Sequence, residues 1–501
     1  MDSILKSPLC ILQSPYLSIP LLPTPHPLSK KPMTHQALEN QLFLTLNGER
    51  VCLKGVSPSM TLLQYLHQSR RTGTKEGCGD GDCGACTVAI VGRNPDGQAS
   101  YQAVNSCLIP IGAIAGREIV TVEGIANGKL HPVQAAMVEA GGSQCGYCTP
   151  GFIMSLFSAY YDGRVDDFSV EGNLCRCTGY IPIRKAAQNV TNAQPSDQFS
   201  ERLGQSALDL SSVAYSNQTQ QFYRPTQLSE ALELLQQYPE ATLVAGGTDL
   251  GLEMSHHRRS FPILISLEGI QELQHIEQDS NRLTIGAAVP LHTIETTLKG
   301  VFPSLDEMLH WFAARQVRNR ATIGGNIGTA SPIGDLPPVL LALDAELTIA
   351  NLAETRTIPL SDFFKGYRQT DLKPGEIIVS ISIPKSIHGV KRLSQSYKIG
   401  KRGTDDISIV AAAFVIDVDQ NNTIVHARLG YGGVAATPIR AIEVENLLIG
   451  QPWTIETIQQ VKPALRESFT PLTDFRGSAA YRKLLVANLL EKFFVEMEEL
   501  S

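Results

Sequence analysis

A multidomain α+β fold is predicted for this chain by its length, by the crowding of its cysteines into one third of it, and by a change of hydrophobic period near residue 131. Its 501 residues correspond to about three domains at ~150 residues each. Hydrophobic residues at 43% and charged residues at 18% supply several packed cores. That composition excludes a mainly disordered or fibrous chain. The formal net charge of -7 gives no bulk attraction to nucleic acid or anionic lipid. No apolar run approaches the ~18 residues that a membrane-spanning helix needs.

Residues 1–38 read as a disordered, proline-rich extension, because proline fixes φ and removes a donor. Pro8, Pro15 and Pro20 interrupt the apolar run that a secretory signal requires. A start at Met1 and a start at Met33 both fit. From residue 39 to 125 a small strand-rich domain is expected. LFLTLNGERVCL alternates on both sides of Asn47-Gly48, a strong hairpin signal. TLLQYLHQS from Thr61 reads as a short helix, and TVAIVG and IVTVEGI read as strands. Between 126 and 190, PVQAAMVEAGG, PGFIMSLFSAYY and IPIRKAAQNV carry apolar residues at helical spacing. Residues 191–221, rich in Gln, Ser, Asn and Asp, read as a linker. One α+β domain is expected over 222–388, opening on a helix with Thr226 as its N-cap, and a second over 389–501.

The ten cysteines fall into two groups and two leftovers. Cys78, Cys83, Cys86 and Cys107 have the spacing C-x4-C-x2-C with a distant fourth, the plant-type pattern for a [2Fe–2S] cluster. Glycines between them allow positive φ and close backbone approach. Structural zinc favours paired C-x2-C knuckles or added histidines, which this spacing does not match. Cys145, Cys148, Cys175 and Cys177 form two close pairs; spacing alone admits either zinc or iron–sulfur there. Cys10 and Cys52 fit neither group. A lone cysteine is commonly a small buried hydrophobe. Thiols clustered in this way in a large chain point to a cytoplasmic metalloprotein rather than a disulfide scaffold.

GCGDGDCGACTV, followed by QCGYCTPGF and NLCRCTGY, resembles the two-cluster iron–sulfur domain of the molybdenum hydroxylases. The match spans roughly residues 40–190 and fills all eight ligand positions. It implies a β-grasp ferredoxin-like domain, then a helical bundle, with [2Fe–2S] in each. LVAGGTDLG (243–251) and ATIGGNIGTASPIGD (321–335) resemble the family's two flavin loops. GYRQTDL (366–372), YKIGKRGTDDI (397–407) and PLTDFRGSAAYR (471–482) also fit. The remainder is thereby expected to be an FAD-binding domain of the vanillyl-alcohol-oxidase-like type with a C-terminal α+β subdomain. The resemblance carries FAD contact to Leu243, Val244, Ala245, Gly246, Gly247, Thr248, Asp249 and Leu250. In the second loop region it carries contact to Phe312, Ala321, Gly325, Asn326, Thr329 and Asp335. Leu372 and Lys398 match further positions, and Asp405 falls in the loop that faces the flavin ring. Gly247 stands where vertebrate relatives carry asparagine. Phe312, inside helix-like EMLHWFAARQ, also reads as plain core. On residue chemistry alone, bare Gly246-Gly247 and Gly324-Gly325 turns suit a pyrophosphate, and Thr329, Ser331 and Asp335 offer hydrogen bonds. Neither a Rossmann fingerprint nor a Walker loop is present.

Iron–sulfur domain first and FAD domain second resembles the small subunits of bacterial xanthine dehydrogenases. The implied role is electron transfer from a molybdenum-cofactor large subunit, through two clusters and FAD, to NAD+. The implied assembly is a heterotetramer of two small and two large subunits. No residue of this chain is expected to catalyse purine hydroxylation, and activity toward purines would require the partner. Two other readings stand beside this one. The chain could serve a molybdenum hydroxylase of aldehydes or N-heterocycles, or be a non-enzymatic iron–sulfur redox protein. Neither nucleic acid nor membrane is an expected partner.

Overall fold

The computed structural model describes residues 38–126, 128–191, 196–205, 208–385 and 389–499. The expected extension lies, up to residue 37, outside them, as does Cys10. The first domain is a five-stranded sheet of β1 (Gln41–Leu46), β2 (Glu49–Lys54), β3 (Thr87–Arg93), β4 (Ala99–Asn105) and β5 (Glu118–Val120), in the order β2-β1-β5-β3-β4. β1 and β5 are parallel and the other pairs antiparallel, the expected β-grasp arrangement. Asn47 and Gly48, with φ of 55° and 85°, make the two-residue turn joining β1 to β2, since both central residues of such a turn need positive φ. The helix Leu62–Gln68 starts in a capping box. The Gln64 amide donates to Thr61 Oγ1 at 3.2 Å, and the Thr61 amide to Gln64 Oε1 at 3.0 Å. The loop carrying Cys78, Cys83 and Cys86 lies between this helix and β3, and Cys107 follows β4.

The second module is helical as expected: Pro132–Glu139, Thr149–Tyr161 and Ile181–Gln188. Each cysteine pair sits just before one of the last two helices. His131 caps the first, its Nδ1 accepting from the Val133 amide at 3.2 Å. Its Nε2 therefore carries the proton and lies 2.9 Å from Tyr161 Oη, and that hydroxyl donates to Asp197 at 2.6 Å. Burial pushes the His131 imidazole down to about 4, against a partly opposing Asp197 charge. The folded protein therefore holds His131 neutral where the unfolded chain would protonate it. This stability is complete above about pH 6.5 and is lost as pH falls from there toward 4. His131 is expected to account for about 2 kcal/mol of the wild type's loss over that interval. His131→Asn, which keeps a cap acceptor, should lose about 2 kcal/mol less. Denaturant melts of both proteins at pH 7.5 and 4.5 check it; equal losses would refute the assignment.

The stretch read as a linker holds a helix and a strand among its described residues. The helix Gln198–Gln205 buries Phe199 among Tyr101, Phe157 and Tyr161. Val213–Ser216 is a strand paired antiparallel to Gln221–Arg224. Its polar composition hid both, because each is held by contacts with other domains. The helix expected from Thr226 is Leu228–Gln237, with Gln227 at the N-cap and no side-chain cap. The Thr226 amide instead donates to Glu230 Oε2 at 3.0 Å.

Two sheets build the FAD-binding region. The first joins Val213–Ser216, Gln221–Arg224, Ile263–Ser266 and Thr242–Val244, in that order, and its last two pairings are parallel. The second is antiparallel, ordered Ile276–Gln278, Arg282–Gly286, Ile377–Pro384, Glu346–Ala350 and Thr355–Pro359. The C-terminal subdomain has long antiparallel strands Lys391–Ile399, Val410–Val418 and Ile424–Gly432, with the short Ile439–Arg440 at the edge. Helices Ile442–Leu448, Ile455–Glu467 and Ala479–Glu499 cover it. The cores run across domain limits. Leu44, Leu62 and Val104 of the first domain share one cluster with Phe222, Val244 and Leu264. Among the described residues no helix is long and apolar enough to cross a membrane.

Candidate cofactor sites

The first cysteine group converges in two pairs. The Cys78 amide donates to Cys83 Sγ and the Cys83 amide to Cys78 Sγ, each at 3.3 Å. Cys86 Sγ lies 3.4 Å from Cys107 Sγ. Cys86 and Cys107 are 2% and 1% exposed, while Cys78 and Cys83 are half-buried. The loop is tied behind these thiols, where Asn105 Nδ2 donates to the Gly81 carbonyl at 2.8 Å and Ser106 Oγ to the Cys86 carbonyl at 2.7 Å. The hydrogen bond from Cys78 holds the Cys83 thiol down at about 6, and that from Cys107 lowers Cys86. One sulfur of each pair thus favours the thiolate, the form that binds iron.

The second group repeats this pairing: Cys145 meets Cys177 and Cys148 meets Cys175. Cys145 and Cys177 are exposed, whereas Cys148 and Cys175 are half-buried. Cys175 Sγ accepts from the Thr178 amide at 3.4 Å, and Tyr180 Oη accepts from the Cys175 amide at 3.0 Å. Among the described residues no three His, Cys, Asp or Glu donors gather as they would around one metal ion. Approach in pairs is what a two-iron cluster asks of its ligands, two thiolates to each iron. Cys52, expected to be buried on its strand, is exposed, with Sγ 3.4 Å from Gln41 Oε1.

The flavin segments meet although they are far apart in sequence. Leu243 and Val244 end a strand, and Gly246 lies against the backbone of Arg320 and Ala321. A Cβ on Gly246 would come within 3.0 Å of the Ala321 nitrogen and closer still to the Arg320 carbonyl. The two glycine loops therefore share one backbone-lined cradle. Thr322 caps the short helix Ile323–Gly328, its Oγ1 accepting from the Gly325 amide at 3.1 Å. Asn326 Oδ1 is buried with no partner, as expected of a side chain that awaits a ligand's donor. Bare backbone and an open polar atom fit a flavin nucleotide.

The other expected contacts are placed as follows. Asp335 and Lys398 pair with each other at 2.9 Å, and Ser408 Oγ donates to Asp335 at 2.5 Å. Lys398 Nζ also donates to the carbonyls of Trp311 at 3.0 Å and Thr404 at 2.8 Å. Thr329 Oγ1 donates to the Gly325 carbonyl at 2.9 Å. Ala321 and Phe312 belong to the core of the larger sheet, and Leu372 packs against its edge. Asp249 lies 3.8 Å from Arg368, and Leu250 leans on the ferredoxin-side core. Burial first, then the nearby Asp82 and Glu171 charges, pushes Asp405 up to about 6. Asp405 thus lies close enough to feel the first cysteine loop.

The three sites are contiguous. The Leu174 amide, beside Cys175, donates to the carbonyl of Cys83 at 3.0 Å. Gly251 stacks on the backbone of Leu108, the residue after Cys107, so tightly that a Cβ there would lie 2.7 Å from Leu108 Cα. Sequence reasoning missed Leu108, Asn105, Thr178 and Arg320. The last two stand inside or beside the family motifs, but nothing in spacing marks a backbone contact.

Residues 44–112 match the model of a 2Fe-2S iron–sulfur cluster binding domain, and 121–188 that of a [2Fe-2S] binding domain. Residues 217–386 match the FAD binding domain in molybdopterin dehydrogenase, and 395–497 the CO dehydrogenase flavoprotein C-terminal domain. A solved chain of carbon monoxide dehydrogenase from Hydrogenophaga pseudoflava is 30% identical with a TM-score of 0.51, over 54% of this chain and 94% of that one. The chain belongs to the molybdenum hydroxylase family. It carries that family's iron–sulfur and FAD domains, and its cofactors are two [2Fe–2S] clusters and FAD. Quinoline 2-oxidoreductase from Pseudomonas putida 86 is 29% identical with a TM-score of 0.50, over 55% of this chain and 94% of that one. Xanthine dehydrogenase of Emericella nidulans is 33% identical over 90% of this chain, and xanthine dehydrogenase 1 of Arabidopsis thaliana 32% identical over 91%. This molybdenum hydroxylase chain spans about two fifths of the length of those curated relatives, 38% and 39%.

Proposed function

We propose that this chain is the electron-transfer part of a xanthine dehydrogenase, passing electrons from a molybdenum site on a partner subunit to NAD+. The observation that carries the electron-transfer reading is the contiguity of three sites, from exposed Cys145 and Cys177 to the cradle at Gly246. Cys78, Cys83, Cys86 and Cys107 would hold one cluster, and Cys145, Cys148, Cys175 and Cys177 the other. In each, the observed thiol pairs would be the ligands of one iron. Leu243–Leu250, Ala321, Gly325, Asn326 and Thr329 would line the FAD, with Asp335 and Lys398 at its edge. Clusters supply single-electron transfer, and FAD links it to two-electron chemistry. The residues of this chain hold these groups at fixed spacing and, through burial, shape their potentials.

The purine reading is supported by the xanthine dehydrogenases matched over about nine tenths of this chain. The solved relatives favour a second reading, a partner acting on another small substrate such as an N-heterocycle. A heterotetramer with two molybdenum subunits is the proposed assembly for either.

Iron and flavin analysis with a visible spectrum tests the proposal. About four irons and one FAD per chain are expected, bleached by NADH. The chain alone should pass electrons from NADH to a dye and leave xanthine untouched. A flavin-loaded chain inert to NADH would remove NAD+ as acceptor.

A further inference from the structure

Both cysteine loops and the FAD-binding region meet around one buried amide, Asn173, two residues before Cys175. Its Nδ2 donates to the Gly84 carbonyl in the first loop at 3.0 Å and lies 3.4 Å from Thr87 Oγ1. Its Oδ1 accepts from Ser155 Oγ at 2.6 Å and from Gln316 Nε2 of the FAD-binding region at 3.1 Å. Both donors and both lone pairs of the amide are engaged. Asn173 is 3% exposed, Ser155 and Gln316 2%, and Thr87 1%. The backbones around it are in contact. A Cβ on Gly84 would lie 3.0 Å from Asn173 Cγ, and one on Gly151 3.1 Å from Asn173 Nδ2. One on Gly172 would lie 2.6 Å from Gln316 Oε1. The next residue, Leu174, makes the backbone hydrogen bond to the Cys83 carbonyl that joins the two loops.

A buried asparagine is commonly satisfied filler. This one differs because its four hydrogen bonds reach three separate parts of the chain beside the Leu174–Cys83 backbone bond between the loops. An apolar side chain of the same volume would take the acceptor from the Ser155 hydroxyl and one of two acceptors from Gln316 Nε2, and would leave the Gly84 carbonyl only its bonds from Thr87. We propose that Asn173 is a positioning residue that sets the spacing between the two cysteine loops by fixing the Leu174–Cys83 hydrogen bond. The proposal rests on the reading that each loop holds a cluster.

The test uses the full, cofactor-loaded chain with Asn173→Ala, Ser155→Ala and Gln316→Met. Amide hydrogen exchange at Leu174 reads the hydrogen bond directly. Magnetic splitting between the two reduced clusters, by low-temperature EPR, reads their separation. Asn173→Ala should keep its iron and its individual cluster signals, exchange Leu174 at least about tenfold faster, and change the splitting. The other two variants should shift both readouts the same way by less. Unchanged exchange and splitting in a variant that merely melts earlier would overturn the proposal. If Asn173→Ala loses iron, the two milder variants decide. Leu174 exchange is measurable with or without iron. A wild-type chain lacking iron would therefore defeat the electron-transfer reading, while the hydrogen-bond claim is still decided.

Discussion

Gly246→Ala should strip the protein of FAD. The methyl would lie within 3.0 Å of the Ala321 nitrogen and closer to the Arg320 carbonyl. Neither atom belongs to a side chain that can rotate away. Overpacking a core costs about 1–3 kcal/mol and sometimes more. Here the displaced backbone is the proposed flavin cradle, so the top of that range is expected. FAD content should fall at least about tenfold, and the melting temperature by several degrees at ~2–4 °C per kcal/mol. Gly204 is the control, since it lies in the helix Gln198–Gln205 and a Cβ there would meet only open space. Gly204→Ala should leave both unchanged or slightly raise stability, because alanine suits a helix better than glycine. A Gly246→Ala protein with full FAD would mean that the two glycine loops do not share one cradle.

Cys86→Ser should halve the iron. Cys86 is buried 3.4 Å from Cys107 and has no route to solvent ligands. Serine cannot supply the thiolate that iron prefers. Iron is expected to drop from about four to about two per chain, with one of two cluster EPR signals lost and the other kept. Because metal affinity is part of folding free energy, the first domain should also unfold earlier. Cys145→Ser should remove the opposite signal. Cys52→Ser, on an exposed thiol, should remove neither. Full iron in Cys86→Ser would place the cluster elsewhere.

Much of the candidate site was legible in the residues because it is local. Metal-ligand spacing, the Asn47-Gly48 turn and the Thr61 cap are encoded within a few residues. The eight grouped cysteines stand at C-x4-C-x2-C and C-x2-C spacings that read directly from the chain, although their pairing does not. Other features depended on distant partners. The 191–221 stretch has few apolar residues, so its helix and strand could not announce themselves. They form because Phe199 enters an aromatic cluster and Tyr215 of Val213–Ser216 packs in one core with Leu44, Leu62 and Val104. Cys52 faces outward because Leu53, not Cys52, is the β2 residue buried next to it.

Local pattern was enough to mark two groups of four cysteines, and motif resemblance supplied the order of the domains and the family. Which thiols pair, and that Gly246 rests on Arg320, came from the packed molecule. Packing also brought Lys398 to Asp335 and made Asn173 the point where three parts of the chain are bonded. Spacing and period are properties of neighbouring residues, set by backbone geometry. Contacts between remote segments follow from how whole cores pack, and no local pattern records them.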